Sequence, residues 1–211
     1  AEIPEIAAVI GLAELQRAPE AVLGTIGREH VPDQRGALAL YDHASPRLLA
    51  TGGVFAYLKV AEGCDNPCAF CHIPRMRGAF RSRTVESLVA EARRLEELGV
   101  RELILVAQDT TRYGEDLGLG TTGLRRLLEA LLAGTTAPWI RFLYAYPATL
   151  DEGVFDLMAR EPRLVPYLDI PLQHASRAVL KAMKRGGDAR SYRRMIEKAR
   201  ATVPGLGVRS T

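Results

Sequence analysis

The 211-residue chain has little cysteine, three residues in all, and little charge imbalance: 28 basic against 25 acidic side chains, for a net charge of +3. An odd cysteine count with no signal-peptide pattern argues against a disulfide framework and for a reducing compartment. So small a net charge gives no argument by itself for nucleic acid or a membrane surface. No apolar run approaches the roughly twenty residues of a membrane span, so a soluble, cytoplasmic protein with no membrane partner is expected. What is present, 47% hydrophobic and 25% charged residues, suits one globular domain or one domain with an appendage. The first residue is not methionine, and the last five form a strand-like run, so a piece of a longer protein is expected.

All three cysteines lie within eight residues, as Cys64-x3-Cys68-x2-Cys71. Thiols this close on one loop can turn toward a common point, which is the arrangement of metal ligands. A structural zinc site wants a fourth ligand, commonly with the Cys and His in two separated pairs. Here only His72 is at hand, and as the neighbour of Cys71 it is poorly placed to share an ion with it. A four-iron cluster held by three thiolates resolves the count, because one iron is left without a protein ligand and open to a substrate or cofactor. A zinc- or cluster-stabilised module remains the competing reading, with Arg75, Arg77, Arg81 and Arg83 as a basic stripe for RNA.

Along the chain, residues 1–50 read as an appendage, with a loose helical spacing through Leu12, Leu15, Val22 and Leu23 interrupted by Pro19. From residue 54 strands and helices alternate. Phe55 to Val60 reads as a strand that runs straight into the cysteine loop. Thr84 caps a helix carrying Leu88, Ala92 and Leu95, which Gly99 ends. Leu103 to Ala107 is apolar enough for a strand buried on both faces. A Gly/Thr-rich loop then precedes a helix with Leu124, Leu127, Leu128 and Leu131. Strands follow over 139–146 and 164–172, then helices capped at Ser176 and spanning about 189–202, and a fifth strand. Such alternation implies parallel pairing through right-handed crossovers, hence an α/β fold: a partial (β/α) barrel truncated after about the fifth strand, covering 51–211. The cysteine loop falls at the carboxyl ends of its strands, where such barrels carry their chemistry.

The run Leu58 to Cys71, then Ile73-Pro74, Arg77-Gly78 and Arg81-Ser82-Arg83, resembles the radical S-adenosylmethionine methylthiotransferases. Leu105-Val106-Ala107-Gln108-Asp109-Thr110-Thr111-x-Tyr113-Gly114, Leu143-Tyr144-Ala145-Tyr146-Pro147 and Tyr167 to Ser176 bring it nearer to the RimO type, which modifies an aspartate of the twelfth small-subunit ribosomal protein, than to the relatives that modify transfer-RNA adenosine. The resemblance implies a radical-SAM core preceded by the remnant of an amino-terminal α/β domain. It also implies a [4Fe-4S] cluster on Cys64, Cys68 and Cys71, with S-adenosylmethionine as cofactor and a reductant such as flavodoxin or ferredoxin. A second [4Fe-4S] cluster would belong to the full-length protein only, because its three further cysteines are absent here. His72 departs from the aliphatic residue usual in such relatives.

Position at strand ends nominates the remaining candidates. Gln108 and Asp109 follow the second strand and suit the methionine amino group or the ribose of the cofactor. Tyr144 and Tyr146, alternating in the third strand, should point the same way, to flank the adenine or substrate. Gln173 follows the fourth strand, and Arg209 in the fifth offers a guanidinium fork to the cofactor carboxylate. Beyond the three cluster ligands, no catalytic side chain is nominated.

Overall fold

The computed structural model describes residues 6, 8–27, 30 and 40–211. Five parallel strands make its frame: β1 (Phe55–Lys59), β4 (Glu102–Val106), β5 (Trp139–Phe142), β6 (Tyr167–Asp169) and β7 (Gly207–Arg209). β1, β4 and β5 form one sheet in that order, with Tyr57 opposite Ile104 and Ile104 opposite Arg141. β6 pairs with β7. An isolated bridge from Ile140 to Leu164 links the two pieces, helped by the Val165 amide, which donates to the Ile140 carbonyl at 2.9 Å. The strands thus run as one open arc, as the alternation predicts. Between β1 and β4 lies a short antiparallel pair that the sequence pattern does not show, β2 (Ala61–Glu62) and β3 (Arg81–Ser82), which closes the base of the cysteine loop.

Helices cover the outer side of the arc: α3 (Val85–Glu97), α4 (Gly123–Gly134), α5 (Gly153–Arg160) and α7 (Ala189–Thr202). Leu88, Ala92 and Leu95 of α3 and Leu124, Leu127, Leu128 and Leu131 of α4 are buried against Leu58, Leu103, Leu105 and Phe142 of the strands. At roughly 25 cal/mol per Å² of apolar surface removed from water, this layer is the main favourable term in the fold. β4 is buried through Leu103, Ile104 and Leu105, as expected for the middle strand, whereas β1 alternates, with Ala56 and Leu58 inward and Tyr57 half exposed. Thr84 caps α3 by accepting from the Ser87 amide at 3.3 Å, and Gly99 follows the helix at φ 90°, the left-handed conformation that suits glycine.

Two expected strands are shorter than their sequences suggest. β5 stops at Phe142 rather than Tyr146, and β6 spans three residues within 164–172. Tyr144 takes φ 59°, outside extended geometry, so Tyr144 and Tyr146 do not alternate along a strand and the argument that they share a face falls. Ser176 precedes α6 (Arg177–Ala182) without bonding its first amides through its side chain.

Only part of residues 1–50 lies within the described residues. There, Pro19 sits in the first turn of α1 (Ala18–Val22), directly after a 3-10 turn over Leu12–Arg17. It therefore helps to start the helix rather than interrupting it. Further on, Arg47 pairs with Glu91, and the Arg94 side chain donates to the His43 carbonyl, so this segment lies along α3.

The Asp188 carboxylate caps α7 by accepting from the Ser191 amide at 2.8 Å. The Ser191 bonds, the backbone one first, hold its pKa below the ordinary aspartate value. A depressed carboxylate pKa stabilises the fold above the unfolded-state value, about 3.9, and that stability disappears as pH falls through the folded-state value. Asp188→Ala should therefore unfold at lower urea than the parent at pH 7, and the two midpoints should converge as pH falls below about 4.

Candidate functional site

The cysteine loop leaves β2 through Gly63 at φ 81°. A Cβ there would lie 2.1 Å from the Ala79 carbonyl oxygen, so backbone packs where any side chain would stand. The Cys64 amide donates to the Gly78 carbonyl at 3.2 Å, the Cys71 amide to the Cys68 carbonyl at 3.1 Å, and the Ala69 amide to the Met183 carbonyl at 3.0 Å. After Cys71 the chain turns at His72, whose side chain is exposed, into α2 (Ile73–Arg77). His72 is thus the residue before a short helix and leaves the ring's polarity to solvent.

Beneath the loop, Glu62 is buried and pairs with Lys59 and with Arg77 Nη1 at 3.2 Å. Burial pushes its carboxyl up, but Lys59 and Arg77 outweigh that and hold it below the ordinary glutamate value. Arg83, also buried, pairs with Glu91. Two of the four arginines in the expected basic stripe are therefore spent on internal carboxylates, and the stripe is not a continuous free face.

Cys64 is buried, and Cys68 and Cys71 are half-buried. Burial pushes the Cys64 thiol up, and the charges of Asp109, Cys68 and Cys71 push the same way, so the three thiols and Asp109 share one neighbourhood. Among the described residues no three His, Cys, Asp or Glu side chains close on a single-ion geometry. A zinc ion needs four ligands around one point. Three sulfurs that each take a different iron of a cube need no such common point. The donor set, all thiol and three in number, fits the cube.

Asp109 carries the loop's main outside tie. It is 1% exposed; Oδ2 accepts from Asn66 Nδ2 at 2.8 Å, and Oδ1 accepts from the Thr111 amide at 3.0 Å and the Thr111 hydroxyl. Burial dominates and raises its pKa. The backbone N–H of Asn66 in turn donates to Cys64 Sγ at 3.4 Å. Next along the mouth, the Thr110 amide donates to the Tyr144 carbonyl at 3.2 Å, and the Tyr144 amide to Asp169 Oδ2 at 3.0 Å. Asp169 Oδ1 lies 3.7 Å from Arg209 Nη1. Asp109, Tyr144 and Arg209 are thus linked in one chain of contacts across the carboxyl ends of β4, β5, β6 and β7.

Gln108 follows β4, and its buried Oε1 has no donor. Gln173 is exposed, with φ 68° and its amide donating to the Thr211 carbonyl at 2.7 Å. Non-glycine residues at positive φ cost of order 1–3 kcal/mol and gather where function constrains the backbone. Among the described residues they are Tyr144, Gln173 and Lys184, all in loops on this side of the arc. The sequence reading missed Asn66, whose only signal is its place inside the loop, and Arg185, which reaches Cys68 from 117 positions away.

A parallel strand arc with a three-cysteine loop at the carboxyl ends of its strands defines an enzyme core built to hold a cluster. The Radical SAM superfamily model matches residues 58–210, and the chain belongs to that superfamily. Over its whole length it is 48% identical to the ribosomal protein uS12 methylthiotransferase RimO of Solibacter usitatus, covering 44% of that protein. It is 46% identical to the RimO of Symbiobacterium thermophilum, covering 43% of it. The chain thus spans less than half the length of these relatives. Among solved structures it resembles the radical S-adenosylmethionine methyltransferase TsrM from Kitasatospora setae, with cobalamin and a [4Fe-4S] cluster bound (TM-score 0.58, 17% identity, 74% of this chain and 30% of that one). It also resembles the cobalamin-dependent radical enzyme OxsB (TM-score 0.56, 14% identity, 73% of this chain and 23% of that one). These two likenesses concern the fold.

Truncating Asp109 would strand the Asn66 and Thr111 donors in a buried site, a cost of about 1–3 kcal/mol. Asp109→Ala should therefore lower the stability by that order in urea denaturation, whereas Asp109→Asn, which keeps an acceptor oxygen, should lose less. Equal losses in the two variants would contradict the assignment.

Proposed function

We propose that this chain is the radical core of a methylthiotransferase that places a methylthio group on the β-carbon of an aspartate in ribosomal protein uS12. The observation that carries the reading is the loop itself: three cysteines, fastened by backbone hydrogen bonds to the Gly78 and Met183 carbonyls at the carboxyl ends of parallel strands. A four-iron cluster held by these three thiolates would supply a binding position for S-adenosylmethionine and the electron that breaks its sulfonium carbon–sulfur bond. The printed names of the relatives supply the substrate.

This chain's own residues hold and orient. Cys64, Cys68 and Cys71 are the cluster ligands. Gln108 offers its unpaired buried acceptor to the amino group of the methionine moiety. Asp109 fixes the cysteine loop through Asn66, and its Oδ2, which accepts that bond alone, keeps acceptor capacity for the methionine amino group or the ribose. Tyr144 and Gln173, held at positive φ on adjoining loops, present exposed side chains to the nucleoside or the substrate. Arg209, more than half exposed while leaning on Asp169, remains able to meet a carboxylate. An electron carrier such as flavodoxin or ferredoxin would deliver the reducing electron.

Reconstituted anaerobically with iron and sulfide and reduced with dithionite, the chain should convert S-adenosylmethionine to 5′-deoxyadenosine and methionine, while Cys64→Ala, Cys68→Ala and Cys71→Ala should each fall to background. It should not methylthiolate a uS12 loop peptide unaided. A longer chain carrying the further cysteines should modify that peptide and leave a transfer-RNA anticodon stem untouched; the reverse preference would overturn the substrate assignment.

A further inference from the structure

Arg185 lies in the connection between α6 and α7, remote in sequence from the cysteines, yet its guanidinium reaches the middle one: Nη1 is 3.6 Å from Cys68 Sγ. Three other features hold it there. Nη2 donates to the Pro171 carbonyl at 2.9 Å. The Tyr146 ring lies under the guanidinium, 4.3 Å from its carbon, at a distance where cation and ring face attract. The backbone before it is bent to φ 54° at Lys184, a conformation that costs a non-glycine residue energy.

The same connection grips the loop a second time, through the Met183 carbonyl that receives the Ala69 amide. On its other side, the Tyr192 hydroxyl donates to the Gly186 carbonyl at 2.7 Å. A Cβ on Gly187 would lie 2.4 Å from the Tyr192 ring, so α7 fixes the far end of the connection. Nε of Arg185 is buried without a partner.

A positive group that donates to a cluster-ligating sulfur stabilises the more negative, reduced state of the cluster. Hydrogen bonds to the sulfurs, net charge and solvent exposure are the protein's means of setting such potentials. The geometry points to Arg185 as a positioning residue that raises the reduction potential of a cluster held on Cys68, with Pro171 and Tyr146 fixing its fork and the α6–α7 connection coupling that potential to the packing of α7. This rests on the reading of the loop as a cluster site. Its test is kept separate from that reading by measuring cluster content first.

The anaerobically reconstituted parent is compared with Arg185→Met, which keeps length and removes charge and donors, and with Arg185→Lys, which keeps charge but cannot span Cys68 and the Pro171 carbonyl together. Iron and sulfide are quantified, circular dichroism checks the fold, and the midpoint potential is read from the reduced-cluster EPR signal in a dithionite titration. The expected result is equal cluster content in all three, with the midpoint shifted to more negative values in Arg185→Met and shifted less in Arg185→Lys. Unchanged midpoints at full cluster content would overturn the proposal. So would folded variants that no longer take up iron, since Arg185 would then serve assembly rather than potential. If the Met variant alone fails to fold, an unshifted Lys variant overturns it equally. A parent that builds no cluster would instead sink the reading of the loop.

Discussion

One buried carboxylate ties the site to the fold. Asp109 is almost wholly removed from water, a situation that disfavours its charge, and it is held by donors from its own turn and from Asn66 in the cysteine loop. That reach across from β4 is one of the ties that set where the loop sits over the arc. The contacts that follow, from Thr110 to Tyr144, Tyr144 to Asp169 and Asp169 to Arg209, extend the tie around the mouth. Loops that would otherwise move independently are thereby connected at the end of the barrel where a large cofactor must be gripped.

The loop is fastened from three directions by different means. Backbone packing at Gly63 sets its entry, the Glu62 carboxylate with Lys59 and Arg77 sets its base, and the α6–α7 connection holds its centre. Each fastening uses backbone or charged groups rather than apolar packing. Phe70, one residue before the last cysteine, is more than half exposed. The core lies behind the strands, in α3, α4 and α5, and carries the stability that lets the front tolerate strained and charged groups.

Much of the frame was legible in the sequence because its signals are local. Thr84 and Gly99 bracket α3, the leucines of α4 repeat at helical spacing, and the continuous run in β4 announces a middle strand. The spacing of the three cysteines pointed to a metal-ligating loop, and the resemblance of the residues around them pointed to the cluster. What escaped was decided by distant partners. Leu143 to Tyr146 alternates like a strand, but the Asp169 carboxylate takes the Tyr144 amide and turns the chain out of it. Arg185 sits in a Lys-Arg-Gly-Gly stretch that reads as a helix end, and nothing nearby points to Cys68. The basic stripe looked continuous because Glu62 and Glu91, which absorb Arg77 and Arg83, lie on other elements.

The account's central claim is that the loop carries a cube at three corners and leaves the fourth open. Mössbauer spectroscopy of the iron-57 reconstituted protein, with and without S-adenosylmethionine, tests it most directly. The account predicts four irons per chain and one iron site whose parameters change when the cofactor is added. A protein that takes up one zinc per chain in preference to iron, or a cluster whose four sites ignore the cofactor, would contradict it.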